Sequence, residues 1–125
     1  MGMKRKNNEK GLEKKEKKSK KSKKSSSSSS SLVPFDYKYI VAPMVGASEL
    51  PFRLLCRKYG AQLVYTPMMI ASQFAESSEY RRTEFQTTSF DRPLVCRFAA
   101  NDPKSFAKAA KKAEPFCDAI DLNLG

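Results

Sequence analysis

An α/β fold built on a parallel sheet is predicted by three features of this sequence. Short apolar runs alternate with amphipathic helical stretches from Tyr39 to the end, the pattern of successive βα units. Two of those runs close on a proline, Pro43 and Pro67, and helix start and stop signals follow. The last run alternates aliphatic with polar residues: Ile120, Leu122 and Leu124 against Asp121 and Asn123.

Taken in order, Tyr39 to Ala42 is the first predicted strand. A helix follows from Glu49 to Tyr59, with Ser48 as its cap, Pro51 in its first turn and Gly60 as its left-handed stop. Phe52, Leu55 and Tyr59 fall three and four apart and predict its apolar face. Leu63 to Thr66 is the second strand and Ile70 to Tyr80 the second helix, leading into a polar connection through Thr87, Thr88, Ser89 and Asp91. Leu94 to Phe98 is the third strand. Asp102 before Pro103 marks a helix start, because the carboxylate caps free amides and proline suits the first helical position. Phe106, Ala109, Ala110 and Ala113 then give that helix a narrow, close-packing face. Ala119 to Leu124 is the fourth strand.

Side chains alternate faces along a strand, so Asp121 and Asn123 share one face. They suit the polar interior of a (β/α)8 barrel near the C-terminal rim, where such barrels hold their active sites; a solvent-exposed edge strand fits the same letters. Burial of both faces, expected for a parallel sheet, favours the barrel. Four βα units make half of such a barrel, which typically needs about 250 residues, or else an open sheet.

Composition divides the chain of 125 residues. Residues 1–31 hold twelve Lys/Arg, three Glu and only three apolar residues, too few to offset the entropy of ordering. A disordered basic tail and serine linker is therefore expected there, and a folded domain over 32–125. Removing the tail from the 24 basic and 13 acidic residues leaves twelve and ten, so the net charge falls from +11 to +2. In that remainder 47 of 94 residues are apolar, the proportion of a globular domain. The lysines fit a phosphate-binding arm or a nuclear-localisation signal, and equally a solvated, variable tail.

Cys56, Cys96 and Cys117 have no CxxC spacing, and the chain has no histidine. Zinc binding and Cys-His catalysis are disfavoured, and each thiol reads better as a small buried hydrophobe. No apolar run follows the basic start, which argues against a secretory signal and a membrane span. A cytoplasmic or nuclear location is expected.

Four segments in order carry a family resemblance. They are Ala42, Pro43, Met44 and Val45 with Glu49, Leu50, Arg53 and Leu54; Tyr65 to Met68; Asp91 to Val95 with Phe98 to Asp102; and Asp118 to Gly125. Over Ile40 to Gly125 the chain resembles the tRNA-dihydrouridine synthases, and among them is most similar to the eukaryotic enzymes acting on D-loop positions 16 and 17. The resemblance implies an FMN-binding TIM barrel that reduces the C5=C6 bond of a uridine in tRNA. NADPH is the implied reductant of FMN, and a cysteine the implied acid that protonates C5. The target base must leave its stack to reach the flavin.

Carried across, Pro43 and Met44 match the first-strand motif that lies against the flavin, although a proline simply ending a strand fits as well. Asn123 matches the asparagine that contacts the uracil near the flavin, and an amide can both donate to and accept from a base edge. Arg97 stands where the family usually has a glutamine on the flavin's pyrimidine edge. Arginine donates but cannot accept, so it suits a flavin carbonyl and not a flavin N–H. The family motif continues Asn, x, Gly, Cys, Pro, which puts the expected catalytic cysteine just beyond Gly125; none of the three cysteines present occupies that position. Residues 1–125 by themselves are accordingly expected neither to retain FMN nor to reduce uridine. An alternative is a non-catalytic RNA-binding protein with a basic arm and a decayed half barrel. Another FMN barrel, related to the dihydroorotate dehydrogenases, is a third reading, disfavoured by the Tyr65–Met68 and Asp121–Gly125 motifs.

Overall fold

The computed structural model describes residues 37–125. The expectations for the basic tail and serine linker lie outside the described residues, as does the start of the domain. Five strands and four helices follow in the order β1 (Ile40–Val41), α1 (Leu50–Lys58), β2 (Leu63–Tyr65), β3 (Met69–Ile70), α2 (Ala71–Glu76), α3 (Ser78–Glu84), β4 (Leu94–Ala99), α4 (Pro103–Ala113) and β5 (Ala119–Asn123). A 3-10 turn at Glu114–Phe116 joins α4 to β5.

All pairings are parallel. β1 pairs with β2, β2 and β3 share one edge of β4, and β5 takes the other. Because β2 and β3 lie end to end beside β4, the sheet has the neighbour order of four consecutive βα units, as the sequence predicts.

The interruption between β2 and β3 is a bulge absent from the sequence expectation. Tyr65 stands opposite Val95 and Met69 opposite Phe98, so four steps on one strand match three on the other. Pro67 has no N–H to give a ladder. Thr66 bridges the gap: its N–H donates to the Val95 carbonyl and its Oγ1 accepts the Arg97 N–H, both at 3.0 Å. One extra residue exchanges the faces beyond it. Met69 consequently turns into the core, 1% exposed.

Packing lies between the sheet and its helices. Val64, Leu94, Cys96 and Phe98 are buried against Phe74, Ala75, Ala109 and Ala113, with Phe106 and Ile120 beside them. The small alanines let α4 approach closely, and Phe98 meets Phe74 edge to face at 5.0 Å. Asp102 caps α4 through the Ser105 N–H at 2.8 Å, as predicted. Gly60 supplies the left-handed stop of α1 with φ +98°.

Three local expectations are corrected. Ser48 does not cap α1; its hydroxyl both accepts from the Met44 N–H and donates to the Met44 carbonyl, each at 2.9 Å. The predicted apolar face of α1 is largely outside, with Leu55 51% and Tyr59 80% exposed. The buried residue of α1 is Arg53, because partners await its charge. Its guanidinium meets Asp91 at 2.7 Å, the Ser48 carbonyl at 2.8 Å and the Gln86 carbonyl at 2.7 Å. Finally, the single helix expected from Ile70 to Tyr80 is two. Ser77 leaves helical geometry and caps α3 by accepting the Tyr80 N–H at 3.1 Å. Arg81 folds back to bond the Phe74 carbonyl at the end of α2 at 2.6 Å, and the Tyr80 hydroxyl accepts the Ile70 N–H at 2.9 Å.

Candidate functional site

Ladder partners stand side by side and point to the same face. On the face away from the helices the rows are Ile40 with Leu63, Tyr65 with Val95 and Ala119, Arg97 with Asp121, and Ala99 with Asn123. Apolar rows occupy the N-terminal part of this face; polar side chains gather towards the strand C-termini. That gradient is what the period-two pattern of β5 predicts. Ile120 packs against the core on the helix side. Leu122 lines a hollow with Phe106. Leu124, expected to face the helices too, lies beyond the last strand residue, Asn123, and is 89% exposed.

The polar cluster has defined connections. Arg97 Nη1 lies 3.4 Å from Asp121 Oδ2, and Arg97 Nη2 donates to Asn123 Oδ1. The Asn123 Nδ2 group donates in turn to the Met68 sulfur at 3.1 Å. Met68 reaches this position from the bulge, two residues beyond Thr66. Burial and the nearby Asp121 carboxylate push the Tyr65 phenol above its ordinary value. The Arg97 and Asp121 side chains are 28% and 33% exposed, so their attraction orients more than it stabilises. Beside the cluster, Met68, Ile70, Ala99, Asn123 and Leu124 line an open depression of about 590 Å³ at the C-terminal rim.

Of the site residues expected from the sequence, Arg97 and Asn123 are thus brought into direct contact. Pro43 and Met44 follow the end of β1, with β2 standing between that strand and the one that carries Arg97. Pro43 is half-buried and Met44 38% exposed. The backbone N–H and carbonyl of Met44 are both engaged by Ser48, which leaves its side chain as the available surface. Sequence reasoning missed the roles of Thr66 and Met68. The signal was the Thr-Pro-Met order itself: a proline inside a strand run calls for a bulge.

Cys96 and Cys117 are buried, as read from the sequence, and Cys56 is half-buried. The neighbouring Cys117 sulfur, together with burial, pushes the Cys96 thiol above its ordinary range. Among the described residues no three His, Cys, Asp or Glu side chains are grouped to hold a metal ion, and no helix is long and apolar enough to cross a membrane.

Similarity to known proteins agrees with this arrangement. Over 90 residues the chain is 51% identical to the tRNA-dihydrouridine(16/17) synthase (NAD(P)(+)) of Schizosaccharomyces pombe, covering 70% of this chain and 23% of that protein. Over 89 residues it is 55% identical to the protein of the same name from Saccharomyces cerevisiae, covering 69% and 21%. A Homo sapiens tRNA-dihydrouridine(20a/20b) synthase-like protein is 45% identical over 86 residues, covering 69% and 27%. The chain therefore spans 21% to 27% of the length of these relatives. The family profile described as dihydrouridine synthase matches residues 40–125, the stretch that holds the parallel sheet, the bulge and the Arg97–Asn123 pair. By that match and these identities, the chain belongs to the dihydrouridine synthase family and its fold is part of a TIM barrel.

Proposed function

We propose that this chain provides the first four βα units of the barrel of a tRNA-dihydrouridine synthase, which reduces uridine to 5,6-dihydrouridine in tRNA with FMN as cofactor and NADPH as reductant. The observation that carries this reading is the donor pair on the open face of the sheet, Arg97 joined to Asn123 at the C-terminal rim, in a chain of this family.

The residues present fit a flavin. Its pyrimidine edge carries carbonyl oxygens, and the half-exposed Arg97 guanidinium offers N–H donors and no acceptor. Arg97, Asn123, Pro43 and Met44 would hold it, Met44 through its side chain because Ser48 occupies its backbone groups. When bound, FMN supplies the hydride chemistry, and the protein supplies position and electrostatics. Asn123 would also meet the uracil through its amide. Apolar Leu63 and Val95, 2% and 4% exposed, lie on the N-terminal side of the polar rows on the same face.

The partner is tRNA, with the Lys-rich tail adding salt-dependent, sequence-independent affinity by counterion release. A cytoplasmic or nuclear location accords with such a substrate.

The test is to disrupt the gene and quantify dihydrouridine in tRNA, at positions 16 and 17 first, as named for the Schizosaccharomyces pombe and Saccharomyces cerevisiae relatives. Loss at those positions, restored by the intact gene and not by an Asn123→Ala version, is the expected result. Unchanged dihydrouridine at every position would sink the proposal.

A further inference from the structure

The contact between Arg97 and Asn123 settles which end of the Asn123 amide faces outward. A guanidinium has five N–H donors and no acceptor, so the atom it meets must be the amide oxygen. The NH2 end is then left pointing towards Met68, whose thioether is a weak acceptor at 3.1 Å. A glutamine at position 97 would impose no such choice, since it carries both a donor and an acceptor. Arg97 is itself fixed from the other side by the Asp121 carboxylate, 3.4 Å away, and its backbone N–H is held by Thr66 Oγ1 at 3.0 Å.

We infer that Arg97 is a positioning residue that locks the Asn123 carboxamide with its NH2 group towards the rim depression, so that the site accepts a ring carbonyl and rejects a ring amino group. The inference rests on the proposed function and adds the means by which the site tells uracil from cytosine. The discrimination is made at position 4 of the base, where uracil presents a carbonyl oxygen and cytosine an amino group, and not at O2 or N3, where cytosine also offers acceptors. An outward NH2 group bonds the first and faces the second donor to donor. The flavin's pyrimidine edge carries the same imide carbonyls, so the shared ligand chemistry is a cyclic imide. Displacing the sulfur contact costs little, because a carbonyl oxygen is the stronger acceptor.

The orientation is measurable in the chain without any ligand. In the wild-type chain, nuclear Overhauser contacts should join the Asn123 Nδ2 protons to the Met68 methyl group. Contacts from those protons to the Arg97 guanidinium instead would mean a flipped amide and would overturn the inference. Arg97→Met, which keeps the stem and removes every donor, should weaken the Met68 contacts, and Arg97→Lys, still donor-only, should restore them. The selectivity is read by titrating uridine 5′-monophosphate and cytidine 5′-monophosphate separately into the FMN-loaded protein expressed from the intact gene. The preference for uridine should fall about three- to tenfold in Arg97→Met, the worth of one hydrogen bond, and recover in Arg97→Lys. An unchanged preference, or no preference in the wild type, overturns it. A parallel titration of the flavin-free form of that protein with FMN identifies whose carbonyl the amide meets, by which ligand shifts the Asn123 Nδ2 resonance. The functional reading fails on a separate observation, unchanged dihydrouridine after gene disruption.

Discussion

Thr66 Oγ1 accepts the backbone N–H of Arg97 at 3.0 Å, a side chain standing where a neighbouring strand would ordinarily offer a carbonyl. This bond closes the ladder across the Pro67 bulge and holds the strand position from which Arg97 reaches Asn123. Thr66 is 1% exposed, so water cannot replace the lost partner. Thr66→Val should therefore cost about 1–3 kcal/mol, the penalty of an unsatisfied buried donor, while Thr66→Ser should cost less. Denaturant unfolding measures the difference. Faster exchange of the Arg97 amide in the valine variant would place the loss at this bond, and equal stability of all three forms would refute it.

Arg53 and Asp91 form a buried ion pair at 2.7 Å, with side chains 2% and 0% exposed. Arg57 joins from 3.7 Å on the other carboxylate oxygen, and burial lowers its pKa despite the pull of Asp91. Asp91→Asn keeps the shape but strands a buried guanidinium, for which about 3–5 kcal/mol of destabilisation is expected. Chemical denaturation and soluble yield report it. A loss under about 1 kcal/mol, the scale of an exposed pair, would show that solvent reaches the site.

The three thiols should react in a set order. Cys96 is fully buried, and the neighbouring Cys117 sulfur raises its pKa while that of Cys117 is lowered. The thiolate is the reactive form, so for Cys117 it is burial, at 8% exposure, that bars the reagent. Cys117 is also buried and donates to the Ala113 carbonyl at 3.3 Å. Half-buried Cys56 should thus be alkylated first under native conditions, with Cys96 and Cys117 following only as the chain unfolds. Mass spectrometry of a timed iodoacetamide reaction checks this, and early labelling of Cys96 would contradict it.

The cap of α4 carries a pH signature. The Ser105 hydroxyl and the Ser105 N–H both donate to Asp102 and lower its pKa from the ordinary 3.8. A depressed carboxylate contributes stability that is present above its unfolded pKa and lost as pH falls through the folded one. Asp102→Asn, which still caps but does not titrate, should therefore differ from wild type above about pH 3.8 and converge with it below. Melting temperatures from pH 7 down to pH 2 test this; a difference that persists unchanged into acid would exclude the carboxylate as its source.

The sequence by itself determined the sequence of βα units, the cap and stop residues of α4 and α1, and the polar face of β5. These follow from local rules: alternation along a strand, helical periodicity, and the fixed φ of proline. Asp102 caps α4 whatever else the chain does, and Asp121 and Asn123 share a face because they are two residues apart. Tertiary structure decided what depends on partners distant in sequence. Arg53 lies outside the Phe52, Leu55 and Tyr59 pattern that the helical spacing picks out and is buried because Asp91, 38 positions away, meets it. The helix expected from Ile70 to Tyr80 breaks at Ser77 because Tyr80 and Arg81 have backbone groups of Ile70 and Phe74 to satisfy. Asn123 could present either end of its amide, and β4–β5 pairing brings Arg97 beside it to choose. Local propensity is blind to such choices, since the energy that decides them comes from groups that only folding brings within hydrogen-bonding distance.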